Sequence, residues 1–106
     1  MPGVDLNYFM RQASKLTEKL EQRKKELAET TVEGQAGEGR VKVVATATGE
    51  VRSIHISPEV VSAGDLAMLE DLVAAGVNAA LTQARELSEK ELGKISGGLK
   101  IPGLTG

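Results

Sequence analysis

Apolar residues fall at Leu6, Phe9, Ala13, Leu16, Leu20 and Leu27, separated alternately by three and four positions, with Arg23 where the same rhythm calls for another. That is the a/d seam of a coiled-coil-type helix, and it predicts one long helix from Val4 to about Glu29. Asp5 stands where it can cap the first turn, and the interior is rich in Lys, Glu, Gln, Leu and Ala, all good helix formers. At Thr30-Thr31-Val32 the rhythm stops and β-branched residues take over. A short strand over residues 32–36 leads to Gly37-Glu38-Gly39, which supplies the positive-φ positions of a hairpin turn. The strongest strand signal follows over 40–47, with Val41, Val43, Ala45 and Ala47 on one face and Lys42, Val44, Thr46 and Thr48 on the other. Thr48-Gly49-Glu50 turns the chain again into a third strand, Val51 to Ile56, where Ile54 and Ile56 share a face. Three strands joined by tight turns predict an antiparallel meander, too small to stand without a helical cover.

Ser57-Pro58 reads as cap and first position of a helix that Gly64 cuts short. Asp65 then caps a second long helix, ending near Ile95 before Gly97-Gly98. Its stripe is Leu66, Leu69, Val73, Gly76, Ala80, Ala84 and Leu87, widened by Leu72, Val77 and Leu81. The small residues Ala74-Ala75-Gly76 and Ala79-Ala80 suit close approach by a helix or by the sheet. The expected fold is α+β: helix, three-stranded antiparallel sheet, short helix, long helix. Residues 1–98 form one domain on this reading, and 99–106, which lack periodicity, a flexible tail.

Size changes the picture first. A chain of 106 residues makes one small core, and a long seam helix cannot bury its seam within so small a monomer, so self-association is expected. The absence of cysteine removes disulfides and thiolate metal sites. The start of the sequence lacks a signal-peptide pattern and no apolar run reaches membrane-spanning length, so a soluble cytoplasmic protein is expected.

Charge changes it next. The net charge is −2, unusual for a nucleic-acid binder, but it is unevenly spread. Residues 1–29 hold six basic and five acidic groups, whereas residues 57–96 hold three basic and seven acidic. On the first helix Arg11, Lys15, Lys19 and Arg23 recur every four residues, about 6 Å apart along the axis, with Lys24 and Lys25 thickening the inner end. Such a row can follow a phosphate backbone. The competing reading is a solvated face, shielded by pairs such as Lys15 or Lys19 with Glu18. Two aromatics, Tyr8 and Phe9, are too few for a single-strand stacking platform.

Catalytic chemistry finds little support. His55 is the single histidine, on a strand face with Ser53 and no orienting acid. Gly34, Gly37 and Gly39 follow a helix and precede a strand, the reverse of a phosphate-binding loop, and read as turn residues. Glu70-Asp71 and the trio Glu86, Glu89 and Glu91 read as solvated helix surface without metal-binding partners. A non-enzymatic protein without metal, cofactor or small-molecule substrate is expected.

The ordered set of features resembles the YbaB/EbfC family of nucleoid-associated proteins. It comprises Met10-Arg11-Gln12-Ala13, then Gly37-Glu38-Gly39-Arg40-Val41-Lys42-Val43, then Val51 to Ile56 with Ser57-Pro58, and finally Met68 to Ala75 leading to Asn78. The resemblance implies a homodimer with projecting helical arms that binds double-stranded DNA with little sequence preference, in the nucleoid of a bacterial cytoplasm. It implies DNA contacts by cations on the arms: Arg11, Lys15, Lys19, Arg23, Lys24 and Lys25 first, then Arg85, Lys90 and Lys94. The alternative is a protein-interaction module whose arms dock a replication or recombination partner.

Overall fold

A computed structural model describes residues 5–97. The elements are α1 (Leu6–Glu29), β1 (Thr31–Ala36), β2 (Val41–Thr46), β3 (Val51–Ile56), α2 (Pro58–Ser62) and α3 (Leu66–Ser96), the order expected from the sequence. Asp5 caps α1 through Oδ1, which accepts from Tyr8 N at 3.2 Å, and Asp65 caps α3 in the same way from Met68 N at 3.0 Å. The proposed tail, 99–106, and the helix start at Val4 lie outside the described residues.

The sheet is an antiparallel meander in the order β1-β2-β3. Gly37, Glu38 and Gly39 all have positive φ in the first turn, and Gly49 does so in the second. The alternation of β2 decides its burial: Val41, Val43, Ala45 and Ala47 are buried, and α3 covers the first three together with Ala80. Thr46 departs from the expected outward set and is fully buried. The β2–β3 register shifts between Val44 and Ala45, and such a bulge re-aims the residues beside it. The Thr46 hydroxyl is satisfied by Thr48 Oγ1 at 2.9 Å and by Glu50 N at 3.1 Å.

Gly34 corrects the reading of the glycine cluster. It lies in β1, inside the strand expected over 32–36, so the turn role given to all three glycines holds for Gly37 and Gly39 alone; a Cβ placed at Gly34 would come within 2.2 Å of Ala80 N and 2.7 Å of the Gly76 carbonyl oxygen. Strand and helix backbones therefore touch, and Gly76 and Ala80 are small for the same reason. Two expectations at helix ends also shift. Ser57 holds the N-cap position of α2 without a side-chain cap bond. Gly97 holds the C-cap of α3, where the sequence predicts the helix to end, in right-handed geometry. Leu66, placed on the buried stripe, is exposed at the first position of α3, beside the groove it lines with Val60 and Val61.

The radius of gyration is 20.2 Å, against about 13 Å for a compact chain of this length. The excess comes from α1 and α3, roughly 36 and 46 Å long at 1.5 Å per residue, which leave the sheet side by side and antiparallel.

Candidate nucleic-acid interface

Helical geometry sorts the cations of α1. Four residues turn the helix by about 400°, so each step of the row Arg11, Lys15, Lys19, Arg23 moves about 40° around the axis. Arg11 thus points almost opposite the apolar seam, while Arg23 stands at its edge. Lys24 and Lys25 lie about 100° and 200° around from Arg23, so they spread charge around the helix instead of thickening the row.

Burial follows the same geometry. Leu27, at the sheet end of the seam, is fully buried, Leu20 and Leu16 are half-buried, and Phe9 and Leu6 are 55% and 66% exposed. Ile95, in the last turn of α3, shares a groove with Tyr8, Phe9, Leu16, Lys15 and Lys19. Beyond that turn α1 continues without α3 beside it. Lys15 and Lys19 flank that turn and Arg11 lies further out; all three are exposed, and none makes an ion pair with a described residue. The shielding pairs with Glu18 that the sequence suggested do not form.

Arg23 is engaged. Its Nη1 donates to Glu26 Oε2 at 2.5 Å, and its Nη2 reaches across to Glu91 Oε2 of α3 at 2.9 Å. Lys94 Nζ approaches the other oxygen of Glu91 at 3.3 Å. Glu91, read from sequence as solvated surface, is largely covered, with 18% of its side chain exposed. Hydrogen bonding from Arg23, and then from Lys94, holds its carboxyl below the usual carboxylate range. Glu26 foremost, and then Glu91, push the Arg23 guanidinium further toward the charged form. A signal for this pairing was present. Four residues beyond Leu87, Glu91 interrupts the α3 stripe much as Arg23 interrupts the α1 seam, and the two interruptions carry opposite charge.

The second group of cations is dispersed. Lys94 is paired with Glu91, while Arg85 and Lys90 are exposed, Arg85 beside the β2–β3 turn residues Thr48 and Gly49. His55 and Ser53 are exposed on β3, and no hydrogen bond joins them. Among the described residues, no group of three or more His, Cys, Asp or Glu is placed to hold a metal ion. No described helix is long and apolar enough to cross a membrane.

The sequence profile of the YbaB/EbfC DNA-binding family matches residues 1–99. The chain is 61% identical to a nucleoid-associated protein of Myxococcus xanthus, covering 99% of this chain and all of that one. It is 46% identical to a nucleoid-associated protein of Caldanaerobacter subterraneus, over 96% of this chain and 92% of that one. Among solved structures, an uncharacterized protein from Helicobacter pylori superposes with a TM-score of 0.77, covering 88% of this chain and 98% of the other. At 14% identity, that likeness concerns the fold.

Proposed function

This chain belongs to the YbaB/EbfC DNA-binding family, and from that premise we propose that it works as a homodimer in the nucleoid, binding double-stranded DNA through phosphate contacts from its arms with low sequence specificity. One observation carries the reading: Arg11, Lys15 and Lys19 are exposed along the outer half of α1, at and beyond the last turn of α3, and none is paired with a described acid. Cations so placed meet phosphates without first losing a partner, and phosphate contact does not depend on base identity. No run of short polar side chains on α1 resembles a base-reading helix, which supports low specificity.

The sheet supports the dimer. Ile54 and Val51 pair across from Val43 and Ala45, so they share the core face, yet α3 leaves them 43% and 38% exposed. Val61 and Leu66 line a groove at the α2–α3 corner and are exposed as well. An apolar face of this kind is what a second copy covers in a two-fold dimer.

The test is duplex affinity across salt concentrations, with solution mass measured alongside. Wild type is expected to weaken steeply with salt. Reversing Arg11, Lys15 and Lys19 to Glu together is expected to abolish binding while leaving the dimer intact. Unchanged affinity in that dimeric variant overturns the proposal. A second reading, that the arms dock a protein, is favoured by Leu6, Tyr8, Phe9 and Met10, all more than half exposed at the outer end of α1. It is the reading to keep if the triple variant still binds DNA as wild type does.

A further inference from the structure

Among the described residues the Arg23–Glu91 contact is the outermost polar link between the two long helices, about one turn before α3 ends beside Lys15 and Lys19. On the sheet side of it Leu27 is buried; on the outer side the seam opens through Leu20 and Leu16 toward Phe9 and Leu6. One turn outward along α1 lies Lys19, two turns Lys15, and three turns Arg11. The row therefore begins one turn outward of the point where Arg23 meets Glu91, with the Ile95 groove as the one apolar contact beyond it among the described residues. Arg23 also holds Glu26 on its own helix, so both edges of its guanidinium face carboxylates, the arrangement in which Arg is best oriented.

We propose that Glu91, although acidic, promotes DNA binding: its carboxylate clasps Arg23 across the helix pair and fixes the arm, so that Arg23 is a positioning residue and not a phosphate ligand. The proposal rests on the DNA-binding reading above, and opposite signs separate it from the simpler view. If Arg23 were a phosphate ligand held back by Glu91, removing that carboxylate would free a cation and tighten binding. If the pair is a clasp, removing it lets the outer part of α1 splay and weakens binding, even though the protein becomes more positive.

The experiment compares wild type, Glu91→Gln, Arg23→Gln, Lys15→Gln and the exchanged pair Arg23→Glu with Glu91→Arg. Duplex affinity is measured across salt concentrations, with solution mass, helix content and hydrogen exchange of residues 6–20 determined for each. Glu91→Gln is expected to weaken binding about threefold, the scale of a partly exposed ion pair, with the slope of log affinity against log salt unchanged. Arg23→Gln should behave alike, and both should speed exchange in the outer part of α1. Lys15→Gln should lower the magnitude of the slope by about one, as loss of a phosphate contact does. The exchanged pair should recover affinity and slow exchange. Tighter or unchanged binding by Glu91→Gln, or a slope change in Arg23→Gln equal to that of Lys15→Gln, overturns the clasp. If Lys15→Gln and the triple reversal also leave affinity and slope untouched, the DNA-binding reading of α1 fails, and the clasp's role in binding falls with it.

Discussion

The two ends of the helix pair are built on opposite rules. At the sheet, Gly34 lies against the backbone of Gly76 and Ala80, and Val41, Val43 and Ala45 are fully buried beside them. At the outer end Leu6, Phe9 and Met10 stay exposed, and charge, not contact, distinguishes one side of α1 from another. Close packing leaves no slack for substitution, whereas a solvated arm tolerates almost any side chain that keeps the helix. Stability is thus concentrated at the inner end, and the outer end is free to carry function. Equivalent substitutions at the two ends should differ in size and even in sign.

The largest contrast is between glycines. Gly34→Ala sets a methyl group within 2.2 Å of the Ala80 nitrogen, where backbone on both sides prevents relief. A loss of about 3 kcal/mol or more is expected in urea unfolding, the upper range for overpacking. Gly93→Ala, in the outer part of α3, meets nothing within 4 Å and should instead stabilise the protein by roughly 0.5–1 kcal/mol through helix propensity. The next contrast runs along the seam of α1. Leu27→Ala should cost about 2–4 kcal/mol by leaving a cavity, and Leu6→Ala within about 0.5 kcal/mol of nothing, both read from the same unfolding curves. Equal costs for the two leucines would mean that the outer seam is covered in solution, and would narrow the difference between the ends.

The smallest effect is that of pH on the clasp. Because the folded-state value of Glu91 is lowered from its ordinary 4.5, its contribution is fully present above that pH and lost as pH falls through the lower folded value. Protection of the outer α1 amides, the ratio of intrinsic to observed exchange rate at each pH, should fall on acidification through that window in wild type, and should show no such step in Glu91→Gln. A step of the same size in the variant would assign it to other carboxylates.

What the sequence disclosed follows the range of the interaction. Alternation along β2, the Asp5 and Asp65 caps and the run Gly37-Glu38-Gly39 are local, and each declares its element within a few residues. The role of Gly34 depends on residues more than forty positions away, so beside Gly37 and Gly39 it reads as one more turn residue. The exposure of Leu66, at the first position of α3, depends on which neighbours reach it in the fold, which its own stripe cannot express. For the candidate site, the spacing of Arg11, Lys15 and Lys19 was visible, because a four-residue repeat is local geometry. The engagement of Arg23 with Glu91 was not read, although complementary breaks in two apolar stripes are a pattern that a pairwise comparison of helices would find.

The backbone contact at Gly34 also has a mechanical meaning. A helix resting on side chains can rock as rotamers yield, but one resting on backbone has a hard fulcrum. From Gly76 to Ser96, α3 extends about 30 Å, so each degree of tilt at the sheet moves its far end by about 0.5 Å. The arm is a lever whose direction is dictated by the strand beneath it.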